Sequence, residues 1–132
     1  MSRIFVDSFF YIALLNRKDQ FHAGAKELSA TIGGNEFWTT DLVLVETANA
    51  CRRPSLRSAA ARLIRRLATE PDTRIVRLTA ELFEKTIRRY EVRADKNWSF
   101  TDCLSFIMEE NGIEEALTGD VHFAQAGFRR LV

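Results

Sequence analysis

Residues 4–10 read IFVDSFF: three apolar residues, an acid, a hydroxyl and two aromatics. A strand with one wet face alternates apolar and polar side chains. Ile4, Phe5 and Val6 run on without interruption, as expected of a short strand covered on both faces within a parallel sheet. Asp7 stands where that strand runs out. Parallel strands are joined by crossovers that are usually helical, so this reading predicts that helices and further strands alternate along the rest of the chain.

The pattern downstream fits. Residues 9–15 are followed by a helix over about residues 20–32, with Phe21, Ala25, Leu28 and Ile32 on one face, ended by Gly33-Gly34-Asn35. Residues 36–39 form a second strand, and Thr40 or Asp41 caps a helix through about residue 52. Pro54 stops that helix and Ser55 begins another, with Leu56, Ala60, Leu63, Ile64 and Leu67 as its apolar side. Pro71-Asp72 turns into a third strand over residues 73–78, and Thr79 caps a helix to about residue 90. After a polar loop over residues 92–98, a helix opens in WSFTDCLSF, residues 98–106, and ends at Asn111-Gly112. Ala116, Leu117 and Thr118 make another short strand running into Gly119-Asp120, and residues 128–132 complete the chain. Alternation of this kind predicts an α/β fold with a central parallel sheet covered on both faces. No repeat or low-complexity linker divides the sequence, so residues 1–132 are read as a single domain.

Composition removes several classes of function. With 46% hydrophobic and 28% charged residues, the 132-residue chain is ordinary globular material and long enough for a real core. No apolar run approaches the ~20 residues of a membrane span, and Met1-Ser2-Arg3-Ile4 enters a strand directly instead of a signal peptide. The expectation is a cytoplasmic protein without a membrane partner. Cys51 and Cys103 are far apart in apolar surroundings, as reduced core thiols are. A structural zinc needs about four ligands that these and His22 and His122 do not supply. Net charge is +1, but Arg52, Arg53, Arg57, Arg62, Arg65 and Arg66 crowd one region, either as a phosphate-contacting surface or as a solvated helix face.

The acids carry the chemistry. In open α/β sheets, loops beyond the carboxyl ends of the strands build the binding crevice. Asp7 and Asp120 both sit at such ends. Glu46 lies in LVLVETANA, residues 42–50, with apolar neighbours one turn before it and Ala50 one turn after, leaving little room for a solvent-facing position. Asp102 has two readings. With Ser99 as N-cap it completes Ser-x-x-Asp, the shape of a capping box, and an acid in a first turn suits the helix dipole. It is also a fourth carboxylate for the crevice.

Like charges a few ångströms apart raise one another's pKa and need a cation to stay ionised together. Hard oxygen donors without a His or Cys cluster favour Mg²⁺ or Mn²⁺. Such ions work beside phosphate oxygens and activate a water nucleophile, singly or as a pair roughly 3.5–4 Å apart. The substrate expected is a phosphate ester, with nucleic acid foremost given the arginines.

Taken in order, Asp7 after the first strand, Glu46 mid-chain, Asp102 in SFTDCLSF and Asp120 in LTGDVHFAQAGF resemble the PIN-domain ribonucleases, above all the VapC-type toxins of prokaryotic toxin–antitoxin pairs. The resemblance runs over essentially the whole chain, and its two C-terminal motifs are its specific part. It implies a three-layer α/β/α sandwich and Mg²⁺- or Mn²⁺-dependent endonucleolytic cleavage of RNA, leaving a 5′-phosphate and a 3′-hydroxyl. Asp7 and Asp102 would be direct metal ligands, Glu46 and Asp120 would complete the site, and Ser8 or Thr118 would orient water or substrate. A homodimer and a small inhibitory antitoxin are implied partners. The family often has Thr after the first acid and a small residue next. Here Ser8 and Phe9 stand there.

Rival readings fare less well. A haloacid-dehalogenase-type phosphotransferase needs Asp-x-Asp where this chain has Asp7-Ser8-Phe9, and a receiver domain needs a late Lys, absent after Lys96. A noncatalytic RNA- or protein-binding module with the same fold is the remaining alternative. Asn49 reads as a supporting or an exposed residue, Trp98 as a core-edge plug before a base-stacking platform, and His122 as a structural histidine. Phe100, Phe106, Phe123 and Phe128 read as core.

Overall fold

The computed structural model describes residues 1–132. Strands β1 (Arg3–Val6), β2 (Glu36–Thr40), β3 (Thr73–Val76), β4 (Glu115–Leu117) and β5 (Arg129–Arg130) form one sheet in the order β3-β2-β1-β4-β5. Every pairing is parallel. Seven helices connect them: α1 (Ser8–Leu15), α2 (His22–Ser29), α3 (Asp41–Ala50), α4 (Pro54–Leu67), α5 (Ala80–Val92), α6 (Phe100–Ile107) and α7 (Val121–Gln125).

The strand order explains why β1 is so apolar. It lies in the middle, with Ile4, Phe5 and Val6 all buried. From β1 the chain steps outward to β2 and β3, then crosses back to β4 and β5 on the other side. Right-handed crossovers in opposite directions put α1–α4 on one face and α5–α7 on the other, the expected three layers. The reversal leaves a crevice beyond the carboxyl ends of β1 and β4, the switch point of a doubly wound sheet.

An aromatic cluster fills the α5–α7 side. Phe106 meets Trp98 at 4.8 Å and Phe123 at 4.9 Å between ring centroids, both edge-on, and Phe123 meets Phe5 of β1 at 5.9 Å. Edge-to-face geometry satisfies ring quadrupoles and adds to the gain from burial. Phe100 departs from the core expectation: it is half-buried and packs beside Phe83 and Tyr90 on the outer surface of α5. Phe106→Ala removes the central ring and should cost about 3–5 kcal/mol. Urea unfolding measures it, and a loss under about 1 kcal/mol would contradict this account of the core.

Several boundaries differ from those expected, each for a local reason. The predicted helix over residues 20–32 shrinks to His22–Ser29, because Asn16 and Asp19 side chains accept backbone N–H bonds from Lys18 (3.1 Å) and Phe21 (2.8 Å) and hold the preceding residues in turns. Pro54 does not merely stop a helix: it is the first residue of α4, where the N–H it lacks would have had no partner. The third strand ends at Val76, not residue 78, because Leu78 donates its N–H to the Asp41 side chain at 2.9 Å instead of to a neighbouring strand. Thr40 is therefore the cap of α3, its hydroxyl accepting from Val43 at 3.2 Å, and Asp41 is left to tie down the exit of β3. The short strand starts at Glu115, so Thr118 lies just beyond it. After Ile107 the predicted helix tightens into a 3-10 turn over Met108–Asn111, closed by Gly112 at φ +76°.

Candidate active site

Asp7 is the N-cap of α1 in extended conformation, yet its side chain makes no capping bond. It turns instead toward β4, where Thr118 Oγ1 donates to Asp7 Oδ2 at 2.9 Å. Asp120 N–H in turn donates to Thr118 Oγ1 at 3.1 Å. One hydroxyl thus bridges the exits of two strands that are adjacent in space and 111 residues apart in sequence. Asp7 is only 4% exposed and Thr118 fully buried, so both are held rigidly.

The other acids converge from the helices. Glu46, on α3, accepts a hydrogen bond from Ser8 Oγ at the start of α1. Asp102 closes the anticipated capping box: its N–H donates to Ser99 Oγ at 3.0 Å, and its Oδ2 accepts from Ser99 N–H at 3.2 Å. Asp120 caps α7, its Oδ1 accepting from His122 N–H at 2.9 Å. All four expected carboxylates lie near enough at the switch point for charge to act between them, with Glu46 and Asp102 acting on Asp7, and Asp102 and Asp120 on Glu46, but Asp7 and Glu46 stand outside the tight group that Asp102 and Asp120 form.

Their mutual field is legible in their acidities. Burial pushes the Asp7 carboxyl up to about 7; the Thr118 bond opposes this, and the charges of Glu46 and Asp102 add to it. Glu46 is also raised, first by burial, against its Ser8 bond, and further by Asp102 and Asp120. Every upward cause is a penalty on negative charge, so the cluster lacks a positive neighbour close enough to balance it.

One further side chain joins these acids. His122 Nδ1 lies 3.1 Å from Asp102 Oδ2 and 3.6 Å from Asp120 Oδ1. Ligand atoms of Asp102, Asp120 and His122 all fall within 4.8 Å of one another. His122 is hydrogen-bonded, as a structural histidine is, and its partner is a carboxylate of the cluster. The first turn of α7 swings residue 122 back over its own cap. Asn49 is exposed, as its second reading had it. Trp98 is 6% exposed, with Nε1 donating to Gln125 at 3.0 Å and Arg93 over its ring, so it is a plug and presents no face to a base. Phe9 lies against the backbone of Gly119, where a Cβ would stand 2.5 Å from Phe9 Cζ, and its ring meets Phe21 at 4.8 Å. An aromatic therefore walls the crevice beside Asp120, and a side chain at residue 119 would force the Phe9 ring to move.

Chemically, the tight donor set is two carboxylates and an imidazole, Asp102, Asp120 and His122, with the carboxylates of Asp7 and Glu46 beside it, an oxygen-rich set that fits a divalent cation. A parallel three-layer α/β domain with acids grouped at its switch point is the architecture of PIN-domain nucleases. This chain belongs to the PIN-domain family, whose pattern matches residues 4–129. It is 36% identical over 127 residues to the 23S rRNA-specific endonuclease VapC20 of two Mycobacterium tuberculosis strains, CDC 1551 / Oshkosh and H37Rv, covering 95% of each chain. The crystal structure of M. tuberculosis VapC20, described as a Sarcin-Ricin loop cleaving toxin, superposes with a TM-score of 0.82 at 34% identity over 96% of both chains. VapBC2 from Rickettsia felis, solved bound to a promoter DNA fragment, shares the fold with a TM-score of 0.61 at 14% identity, covering 99% of this chain and 98% of that one.

Proposed function

We propose that this chain is a VapC-type endoribonuclease that hydrolyses RNA phosphodiesters with Mg²⁺ or Mn²⁺ held by Asp7, Glu46, Asp102 and Asp120. The observation that carries the reading is the grouping of those carboxylates at one crevice, with a buried Asp7 whose carboxyl pKa is raised to about 7 by burial and by the charges of Glu46 and Asp102. A divalent ion there neutralises charge on a phosphate and lowers the pKa of a coordinated water. The protein's part is to aim the donors. Thr118 fixes one oxygen of Asp7, Ser8 fixes one of Glu46, and the capping box fixes Asp102.

The substrate we assign is ribosomal RNA, on the strength of a relative so named at 36% identity over 95% of the chain. A homodimer and a small antitoxin that sets a basic side chain among the acids belong to the same reading. A noncatalytic module is not favoured, because all four acids are kept and supported by hydrogen bonds. No helix is long and apolar enough to cross a membrane.

Calorimetric titration with Mg²⁺ and Mn²⁺ tests the site, and RNA cleavage with and without excess EDTA tests the activity. Binding should strengthen from about pH 6 to about pH 8, because Asp7 holds a proton up to about pH 7 that a cation must displace. Absence of binding, or full cleavage in EDTA, would overturn the proposal.

A further inference from the structure

Helix α1 starts beside the acidic cluster and ends in a basic groove. α1 begins at Ser8, which bonds Glu46, and its last residues Leu14 and Leu15 floor a recess bordered by Arg17, Lys18, His22, Lys26 and Arg53. Chain leaving α3 after Glu46 reaches the same recess at Arg53. No carboxylate lines it. Arg17, Lys18, Lys26 and Arg53 are exposed and form no ion pair, unlike Arg3, Arg66, Arg77 and Arg89, which all face acids. The recess also meets the start of α4, a helix of 14 residues whose cap Arg53 makes no side-chain capping bond, so the positive end of its dipole adds to the four cations.

The arginine-rich segment sorts itself against this groove. Arg52 and Arg57 donate to the carbonyls of Asn49 and Arg52, Arg62 to Ser58 and Arg66 to Glu70, while Arg52, Arg57 and Arg65 border a separate recess between α3 and α4. Arg53 alone of the six joins the groove, and its companions come from the turn and helix after α1.

We propose that this groove holds the phosphate backbone of the RNA a few nucleotides from the bond being cut. The proposal rests on the nuclease reading above and adds where the strand lies. α1 has eight residues and so is about 12 Å long, which sets the groove about that far from Ser8 and the acids. Four unpaired cations and a helix N-terminus over an apolar floor suit a polyanion. An acidic protein segment is the competing occupant, and the test separates the two.

The probe is a fluorescein-labelled hairpin of the sarcin–ricin loop of 23S rRNA. Cleavage of this hairpin by the wild-type chain with Mn²⁺ tests the nuclease reading on its own. For the groove, Arg17→Gln/Lys18→Gln/Lys26→Gln/Arg53→Gln should raise KM for the hairpin at least about tenfold, the loss falling on KM. In an Asp7→Asn background, the slope of log Kd against log salt should shrink by ~0.7–0.9 for each phosphate the groove no longer neutralises. Lys18→Arg/Lys26→Arg keeps the charge and should keep the affinity. Thermal melting of the quadruple variant verifies folding, since all four side chains are exposed. If wild type cleaves while the quadruple variant keeps its KM and salt slope, the groove is not the RNA path and the proposal fails, the nuclease reading standing. That same result is the one an acidic-protein groove would give.

Discussion

Asp7→Asn is expected to abolish metal-dependent RNA cleavage and, without metal, to make the protein more stable. The first effect follows from removing a charged donor from the cluster. Charge stabilisation worth several kcal/mol, at about 1.4 kcal/mol per factor of ten, corresponds to a fall in kcat/KM of ~10³ or more. The second effect follows from burial. An Asp that titrates at 3.8 in the unfolded chain and at about 7 in the native one binds its proton more tightly when folded. Below pH 3.8 both states are protonated and the group costs nothing. Between 3.8 and about 7 the folded state holds the proton that the unfolded state has lost, so stability falls as pH rises. Above about 7 the whole penalty is present, at most about 4 kcal/mol. Asn carries no charge and can still accept from Thr118, so it escapes that penalty. Melting of the metal-free proteins at about pH 8 should place the variant above wild type, with the gap closing toward about pH 4. Mg²⁺ or Mn²⁺ should raise the wild-type Tm and leave the variant's unmoved. A variant less stable than wild type at that higher pH, or one that cleaves RNA at the wild-type rate, contradicts this account.

That a site residue can weaken the fold it belongs to also explains which parts of this molecule could be read from sequence. Ile4–Val6 announced a central strand because burial on both faces leaves a continuous apolar run, a signal contained in three residues. Ser99 and Asp102 announced their helix start because a capping box is closed by bonds three residues apart. Asp7 and Asp120 were placed together by topology alone, since strand exits in a parallel sheet share one edge. What escaped depends on partners far along the chain. The early end of β3 is set by Asp41, 37 residues before Leu78, and His122 finds Asp102 across 20 residues. Neither pairing leaves a local periodicity. Phe9 was visible as a departure from the family pattern, but its packing on Gly119 needed the two strand exits side by side.

Asp102 puts the two kinds of information in one residue, and two substitutions separate them. One carboxylate oxygen, Oδ2, serves Ser99 N–H and lies beside His122, while the backbone N–H of the same residue serves Ser99 Oγ. Asp102→Asn keeps an amide oxygen able to accept from Ser99 and changes little in volume, so the helix start should survive, with stability within about 1 kcal/mol of wild type. It removes a negative charge from the cluster. Cleavage should therefore fall by ~10³ or more, on the same charge argument as for Asp7. Ser99→Ala does the reverse: it deletes the hydroxyl that caps α6, costs about 1 kcal/mol, and leaves the carboxylate in place. Its cleavage rate should fall far less than that of Asp102→Asn, by the modest factor expected when a ligand loses part of its support, about 10 to 100. The two variants are compared by urea unfolding and by hairpin cleavage with Mn²⁺. If Asp102→Asn unfolds as easily as it loses activity, its role is the cap. If Ser99→Ala matches it in activity loss while Asp102→Asn stays folded, then holding the carboxylate still matters as much as its charge. The capping box and the site share an atom, and α6 starts where it does because the same geometry that ends a loop also aims an acid.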